Sequence, residues 1–406
     1  MTAWSAAGAE PEGGALAWQA QYPGQDGPPA VWEELDPRPP LFASRGWLSV
    51  MGHRIEGEHR YFVSGLGSDA GFFGSVVDDP YLTVSKNPWQ LLFEPCEGLR
   101  SLPAEPAAAQ AAAAAMGPPR EEWFPALVLT YPGLECFGIG PGAGAPGALD
   151  HAISAVLDAA RVAGLRTVAF LYVQPEDHQL AAALRRARLT GFPITQRSNL
   201  HLPGDCFADY LAMLGSHRRQ SLQAERRKLR ENGITVDWLP LAEADDELIE
   251  TLVALRQQHR RKYGKQPDPA SERRLLQAFR AFSGGVTVFR ARTDPRHTAG
   301  FSLFLNSGGV QHCWTCGFDY TDPRSRFTYF ELCYNAPIET AYTGPAREFS
   351  FSYGAEMTKL LRGCRLDIVH GYLLAVDDQA RTAASQAAAA ALAAGTAGQP
   401  GAAATG

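Results

Sequence analysis

An α/β fold in two blocks is what the sequence predicts, on three observations. Strand-like and helix-like segments alternate from Trp123 to Leu202, and again, after a longer helical lead, from Ala208 to about Ala375. At 406 residues the chain exceeds one ordinary core, so two domains are expected. In the last third, polar and charged residues recur where strands end, the edge at which an α/β sheet usually presents its chemistry.

Residues 1–39 are rich in Gly, Pro and Ala with little periodicity, which predicts a flexible leader. Order is expected to begin near Pro40–Trp47. Ala104–Met116 is an alanine run between prolines, a helix-capable linker or surface insertion. In the first block, residues 40–204, Trp123–Thr130 reads as a strand and Gly138–Gly147 as a glycine-rich loop. Leu149–Ala163 follows as a helix with Ile153, Val156, Leu157 and Ala160 at helical spacing. Arg166–Val173 is a buried strand, Glu176–Arg188 a helix and Phe192–Leu202 a strand. The second block, residues 205–378, opens with an amphipathic helix over Ala208–Glu231 that stops at Asn232-Gly233. Ile234–Leu239 is a strand, and Glu243–Tyr263 and Ala270–Phe282 are helices. Three strands come next, at Gly285–Ala291, Ala299–Leu305 and Val310–Gly317. A helix-like stretch through Tyr329–Leu332 and Ala336–Glu339 leads to Phe349–Tyr353, Lys359–Gly363 and a final strand. Residues 379–406, nearly all Ala, Gly, Thr and Gln, offer no bulky side chain to pack and are expected to be a disordered tail.

Hydrophobic content of 45% with 20% charged residues is that of a globular protein rather than a disordered one. The net charge of −6 argues against a generally cationic binder of nucleic acid or membranes. Charge is uneven, however. Residues 201–300 carry 17 Lys and Arg against 13 Asp and Glu, a local hint of an anionic ligand. No apolar run is long enough to span a bilayer, and no basic-then-apolar signal peptide opens the chain. Seven scattered cysteines fit a reduced compartment, so the expected location is cytoplasmic.

Several clusters carry a chemical reading beside a bland one. Arg218 and Arg219, with Arg226, Arg227 and Arg230, form a basic helix that either attracts phosphates or is simply solvated. His259–Lys262 with Lys265 lies at a helix end, where cations complement the dipole without any ligand. The Gly138–Gly144 loop precedes a helix, a geometry that can hold an anion, although a plain connection explains it as well. His312-Cys-Trp-Thr-Cys316 lacks the second ligand pair that zinc needs, so no metal is expected. On a regular strand Cys313 and Cys316 would face opposite ways, with His312, Trp314 and Cys316 on one side. Asp319, Tyr320, Glu331, Tyr334, Glu339, Tyr353, Glu356, Lys359, Arg362 and His370 make up the strand-end group.

The order Gly317–Tyr320, Tyr353-Gly354, Lys359–Gly363 resembles the C-terminal half of FemAB-like and BioF2-like members of the GNAT acyltransferase superfamily, as in Fem relatives of peptidoglycan biosynthesis. The resemblance covers about residues 40–375 and implies two tandem GNAT-like domains with mixed central sheets. It implies N-acylation of an amine by aminoacyl-tRNA or acyl-CoA as co-substrate, with no bound cofactor. The acceptor would be a small-molecule amine, from a cell-wall precursor or a specialised metabolite. Such a reaction needs a group to take the amine proton and a donor to steady the oxyanion. Asp319 or Glu331 can serve as the base, with His312 and His370 as alternatives, and Tyr320 or Tyr353 can protonate the leaving group. Lys359 and Arg362 can hold a carboxylate or phosphate, with Arg218 and Arg219 for the donor. GNAT enzymes usually grip a donor pyrophosphate in an (Arg/Gln)-x-x-Gly-x-(Gly/Ala) loop. Neither block has that motif in place, which with the basic second block leans toward aminoacyl-tRNA. The rivals are an acyl-CoA-dependent N-acetyltransferase and a non-catalytic binding protein that keeps the fold. DNA binding and membrane insertion are not expected.

Overall fold

The computed structural model describes residues 17–21, 27–52, 58–63, 70–82, 84–94, 107–282, 285–295 and 297–397. Twelve strands within them form one continuous sheet. In the first unit β1 (Ala17–Gln21), β2 (Glu58–Val63), β3 (Gly71–Val77) and β4 (Ala126–Leu129) pair antiparallel. The last of them runs parallel to β5 (Thr167–Val173), and β6 (Thr190–His201) ends the unit. The second unit repeats the plan. An antiparallel series of β7 (Thr235–Pro240), β8 (Val286–Asp294), β9 (His297–Ser307) and β10 (Val310–Phe318) comes first. A parallel partner follows, β11 (Glu348–Ser350), and then a closing strand, β12 (Arg365–Ala375). Two α/β units in tandem with mixed strand directions, as the GNAT resemblance implies, are therefore what the chain builds.

The two sheets are merged by exchanging their last strands. β12, from the second unit, lies against β5 of the first, while β6 reaches across to β11. The exchanged strands pair antiparallel along most of their length, which places a pseudo-twofold relation between them. Division of the chain at residue 204 is thus a division of sequence and not of the sheet. Pro193 sits where the β6–β12 register shifts, the place at which a strand tolerates a missing N–H.

Local signals explain the helices. Asp177, Asp245 and Asp268 each accept a hydrogen bond from the backbone N–H three residues on, starting helices at His178, Asp246 and Pro269. The single helix expected over Ala208–Glu231 is two, Phe207–Met213 and Ser216–Glu231, because Leu214 and Gly215 are extended between them. Gly233, at φ +71°, ends the second as expected.

Both expected flexible ends are partly ordered. In the supposed leader, β1 pairs with β2, and Trp32 and Leu35 are buried, the Trp32 indole donating to the Ala43 carbonyl at 2.9 Å. Two bulky side chains one helical turn apart suffice to anchor residues 30–35. Residues 1–16 and 22–26 of that segment lie outside the described residues. The supposed tail is a helix, Asp378–Ala397, with Ala380, Ala383, Ala384, Ala387, Ala388 and Ala391 buried on one face. Its packing partner includes the alanine run, helical over Ala107–Met116. Alanine is the strongest helix former, and this small face is covered by the alanine run together with bulky side chains of the same core, among them Trp89, Phe93 and Trp123. Residues 398–406 lie outside the described residues.

One core spans both units. Tyr61 and Phe73 from the first share it with Val288, Phe301, Leu303 and Leu305 of the second, and Trp32 and Trp47 join them. Trp47 donates to the Pro132 carbonyl and packs edge-on against Trp314, 4.8 Å between ring centroids. The loop after β4 is thereby fixed against β10.

Candidate active site

The parallel pair of β10 and β11 lasts only three residues, Val310–His312 against Glu348–Ser350. Beyond it β10 follows β9 to Phe318, while Phe351 bonds to Ser198 on β6 instead. The two strands therefore splay. Ser352 and Ala355 (φ +58° and +54°) and Gly354 (φ +76°) turn the chain away. Lys359 holds that turn: its buried ammonium donates to the carbonyls of Phe351, Ser352 and Tyr353 at 2.7, 3.2 and 3.1 Å. Burial lowers its pKa. Tyr334 and Phe351, 4.8 Å apart, pack the floor of the wedge together with Cys333.

At the junction of the units lies a polar cavity of about 20 Å³, lined among others by Glu135, Arg197, His312, Ser352 and Tyr353. Arg197 Nη1 is 3.2 Å from Glu135, and its other terminal nitrogen holds Glu176. Burial raises the Glu135 carboxyl to about 7 despite the pull of Arg197. His312 packs against the Phe42 ring, and burial, with Arg197 nearby, lowers it to about 4, so it is neutral at pH 7. The Tyr353 hydroxyl donates to the Leu134 carbonyl at 2.6 Å. Arg197 Nε and Ser198 Oγ have no hydrogen-bond partner among the described residues. His312 and Tyr353 are the two expected residues that meet here. Sequence reasoning missed Glu135 and Arg197. An arginine between Ile194 and Leu200 in a buried strand was a usable signal; Glu135, in a loop, gave none.

Around the end of β10 and the segment after it is a cleft of about 540 Å³. Phe318, Tyr329 and Phe330 line it, with Lys262, Tyr320 and Arg326. Lys262 Nζ sits 3.9 Å over the Tyr320 ring, and the Tyr320 hydroxyl meets His259 Nδ1 at 2.7 Å. Burial, then Arg256, Lys262 and Lys265, lower His259 to about 4. The amides of the loop after β10 are already bonded, one to the neighbouring helix and three within the loop. Tyr320 N–H donates to Gln258, Thr321 N–H to Asp319 at 2.8 Å, Arg324 N–H to Asp322 at 2.9 Å, and Ser325 N–H to the Asp322 carbonyl. Burial would raise Asp319, but its bonds from Thr321 and Asp322 and the nearby His297 outweigh that and hold it low. Asp319 is occupied in shaping its turn. The Gly138–Gly144 segment of the first unit is likewise closed, with Ile139 N–H bonded to Gly71 and Ala143 N–H to Gly140.

Other expected site residues are held elsewhere. Glu331 is gripped by Arg226 through contacts of 2.8–3.1 Å and accepts from Asn335 at 3.0 Å, in a groove shared with Asp237 and Trp238. Arg218 Nε donates to the Leu361 carbonyl at 3.1 Å, and Arg219 is half-buried on the same turn. Arg362 is fully buried, 2.9 Å from Glu225 and 4.3 Å above the Phe330 ring that lines the cleft. A bulge between Cys313 and Thr315 corrects the expected facing of the thiols: Cys313 and Cys316 both pack into the core that holds Cys333, while Trp314 packs in the opposite one. Among the described residues, no three His, Cys, Asp or Glu side chains gather to hold a metal ion, and no helix is long and apolar enough to cross a membrane.

A family model for FemAB-like proteins, described as peptidoglycan biosynthesis/recognition, matches residues 110–391, more than half of the chain. No curated protein matches the sequence. Among solved structures, FemX matches with a TM-score of 0.55 at 9% identity, over 84% of this chain and 94% of that one. L-PGS from Bacillus licheniformis matches with a TM-score of 0.52 at 12% identity, over 88% of this chain and 95% of that one. At such identities the likeness is one of fold. A tandem GNAT protein from the clavulanic acid biosynthesis pathway also matches, with a TM-score of 0.43 at 11% identity, over 89% and 99% of the two chains.

Proposed function

The chain belongs to the FemAB-like family, and on that premise we propose that it is an acyltransferase that moves an aminoacyl group from aminoacyl-tRNA onto an amine of a cell-wall precursor. One observation carries the choice of donor. At the place where a GNAT enzyme would cradle the pyrophosphate of coenzyme A, four loop amides are already hydrogen-bonded, three within the loop and Tyr320 N–H to Gln258, and Asp319 and Asp322 add negative charge. A pyrophosphate finds neither donors nor a favourable field there. The cleft beside the loop suits the terminal nucleoside of a tRNA instead. Tyr320, Tyr329 and Phe330 give a base rings to stack on, and Lys262 and Arg326 meet the phosphate.

Amide formation then needs the amine proton removed. Asp319 is held low by the bonds of its turn and Glu331 is gripped by Arg226, whereas Glu135, although paired with Arg197 at 3.2 Å, is raised to about 7 and can take a proton near neutrality. In this reading Glu135 acts through a water, since the junction cavity of about 20 Å³ has room for about one, with Tyr353 and His312 beside it. The use of charged tRNA places the reaction in the cytoplasm.

A donor assay tests the reading: purified protein with charged tRNAs, or with acyl-CoAs, and candidate cell-wall amines, followed by mass spectrometry. Transfer from charged tRNA is expected. Transfer from acyl-CoA alone would overturn the donor, and transfer from neither would favour a binding protein. Tyr320→Ala is expected to weaken donor affinity by about 5- to 150-fold, the worth of one stacked base. An unchanged KM for charged tRNA would move the donor out of this cleft.

A further inference from the structure

The short helix Glu356–Leu360 and the turn after it are built inside out. Their inward side chains are the cations Lys359 and Arg362, 5% and 0% exposed. Their outward ones are apolar: Met357, Leu360 and Leu361 are 69%, 43% and 51% exposed. Positions i, i+3 and i+4 share one helical face, so the three form a patch. Met213, 44% exposed at the end of the Phe207–Met213 helix, extends it, since its methyl lies over Gly363, where a Cβ would be 2.4 Å away. Soluble proteins turn such a stripe inward. Here the inward positions are taken by Lys359 on the carbonyls of Phe351–Tyr353 and by Arg362 on Glu225.

The rim is basic. His217, Arg218 and Arg219 open the neighbouring helix Ser216–Glu231, and Arg218 touches the patch by its bond to the Leu361 carbonyl. Arg365, 69% exposed in its side chain, lies beyond Gly363 but is paired with Asp367 at 2.9 Å, so the arginines of this rim left to meet phosphates are Arg218 and Arg219, with Glu356 the other carboxylate nearby.

We propose that this corner is a docking surface for an anionic phospholipid membrane. Exposed aliphatic side chains that enter the headgroup boundary, ringed by cations that meet lipid phosphates, are the composition such binding requires. A nucleic acid draws on aromatic stacking, which Met and Leu do not provide. Protein interfaces are anchored mostly by Trp, Tyr and Arg in pockets, and this convex patch has no aromatic anchor. Arg362, next to Leu361 in sequence, stacks on Phe330 of the cleft, so a docked molecule holds the cleft close to the lipid surface. The inference does not depend on which acyl donor is used.

Cosedimentation of the full chain with vesicles tests it, using phosphatidylcholine alone and equal parts phosphatidylcholine and phosphatidylglycerol. Binding to the anionic vesicles, weakened by salt, is expected. The double variant Met357→Ser, Leu361→Ser is expected to lower partitioning at least about tenfold. Circular dichroism checks its folding, and Met213→Ser, on the adjacent helix, supplies a second variant with the same expected direction. Absence of binding to the anionic vesicles overturns the proposal. So does binding that both variants leave unchanged, or self-association, read by sedimentation velocity, that the double variant abolishes without any vesicle binding by the wild type.

Discussion

Glu135→Gln is expected to lower turnover by about 10²–10⁴-fold, the range lost with a general base, and to remove the rise in rate as pH climbs through about 7. The side chain is 14% exposed, and its carboxyl must ionise before it can accept a proton. Stability should respond in the opposite sense. An unfolded Glu ionises near ~4.3, while the folded Glu135 keeps its proton to about 7. Within that window the folded state binds more protons, so stability falls as pH rises through it and stays lowered above 7. The total is on the order of 3 kcal/mol. His312 works against this trend. Its folded value of about 4 means that stability falls as pH drops from ~6.5 toward 4. The measurement is therefore the difference between variant and wild type in urea unfolding, at about pH 5 and about pH 8. The amide introduced by Glu135→Gln carries no ionisation penalty, so the variant should gain relative stability at the higher pH. An equal offset at both, with an unshifted pH–rate profile, would remove Glu135 from the reaction.

Arg362→Ala is expected to destabilise the fold by about 3–5 kcal/mol, the cost of leaving one member of a buried ion pair uncompensated. Glu225, 16% exposed in its side chain, would lose its 2.9 Å partner. The Phe330 ring would lose the guanidinium stacked 4.3 Å away, and with it a fixed position in the cleft wall. Arg362→Lys should rescue little, because an ammonium cannot form both the planar stack and the directed bond to Glu225. Urea denaturation reads the loss. A change below about 1 kcal/mol in the alanine variant would mean that Glu225 is readily hydrated.

Much of the architecture was legible because its signals are local. The strand from Arg166 to Val173 and the helix ended by Asn232-Gly233 stand close to where apolar spacing and stop residues place them. The two-block rhythm of the sequence corresponds to the two series of six strands in the sheet. The ordered tail was misjudged for a physical reason: alanine was read as too small to pack, yet Asp378–Ala397 packs because the bulk is supplied by its partners, among them Trp89, Phe93 and Trp123, beside the alanine run. The candidate site was legible only in part. His312 and Tyr353 do meet at the junction, but Asp319 and Glu331, read as candidate bases, do not join them. In space they are a turn former and an arginine partner.

By itself the sequence determined the α/β class, the tandem plan and most elements, since periodicity, caps and turn residues act between neighbours along the chain. Only the tertiary structure decided that the last strands trade places, that Glu135 meets Arg197 across 62 positions and that the Glu356–Leu360 helix faces its cations inward. Those outcomes depend on burial and through-space charge, which arise only when distant segments come together and exclude water.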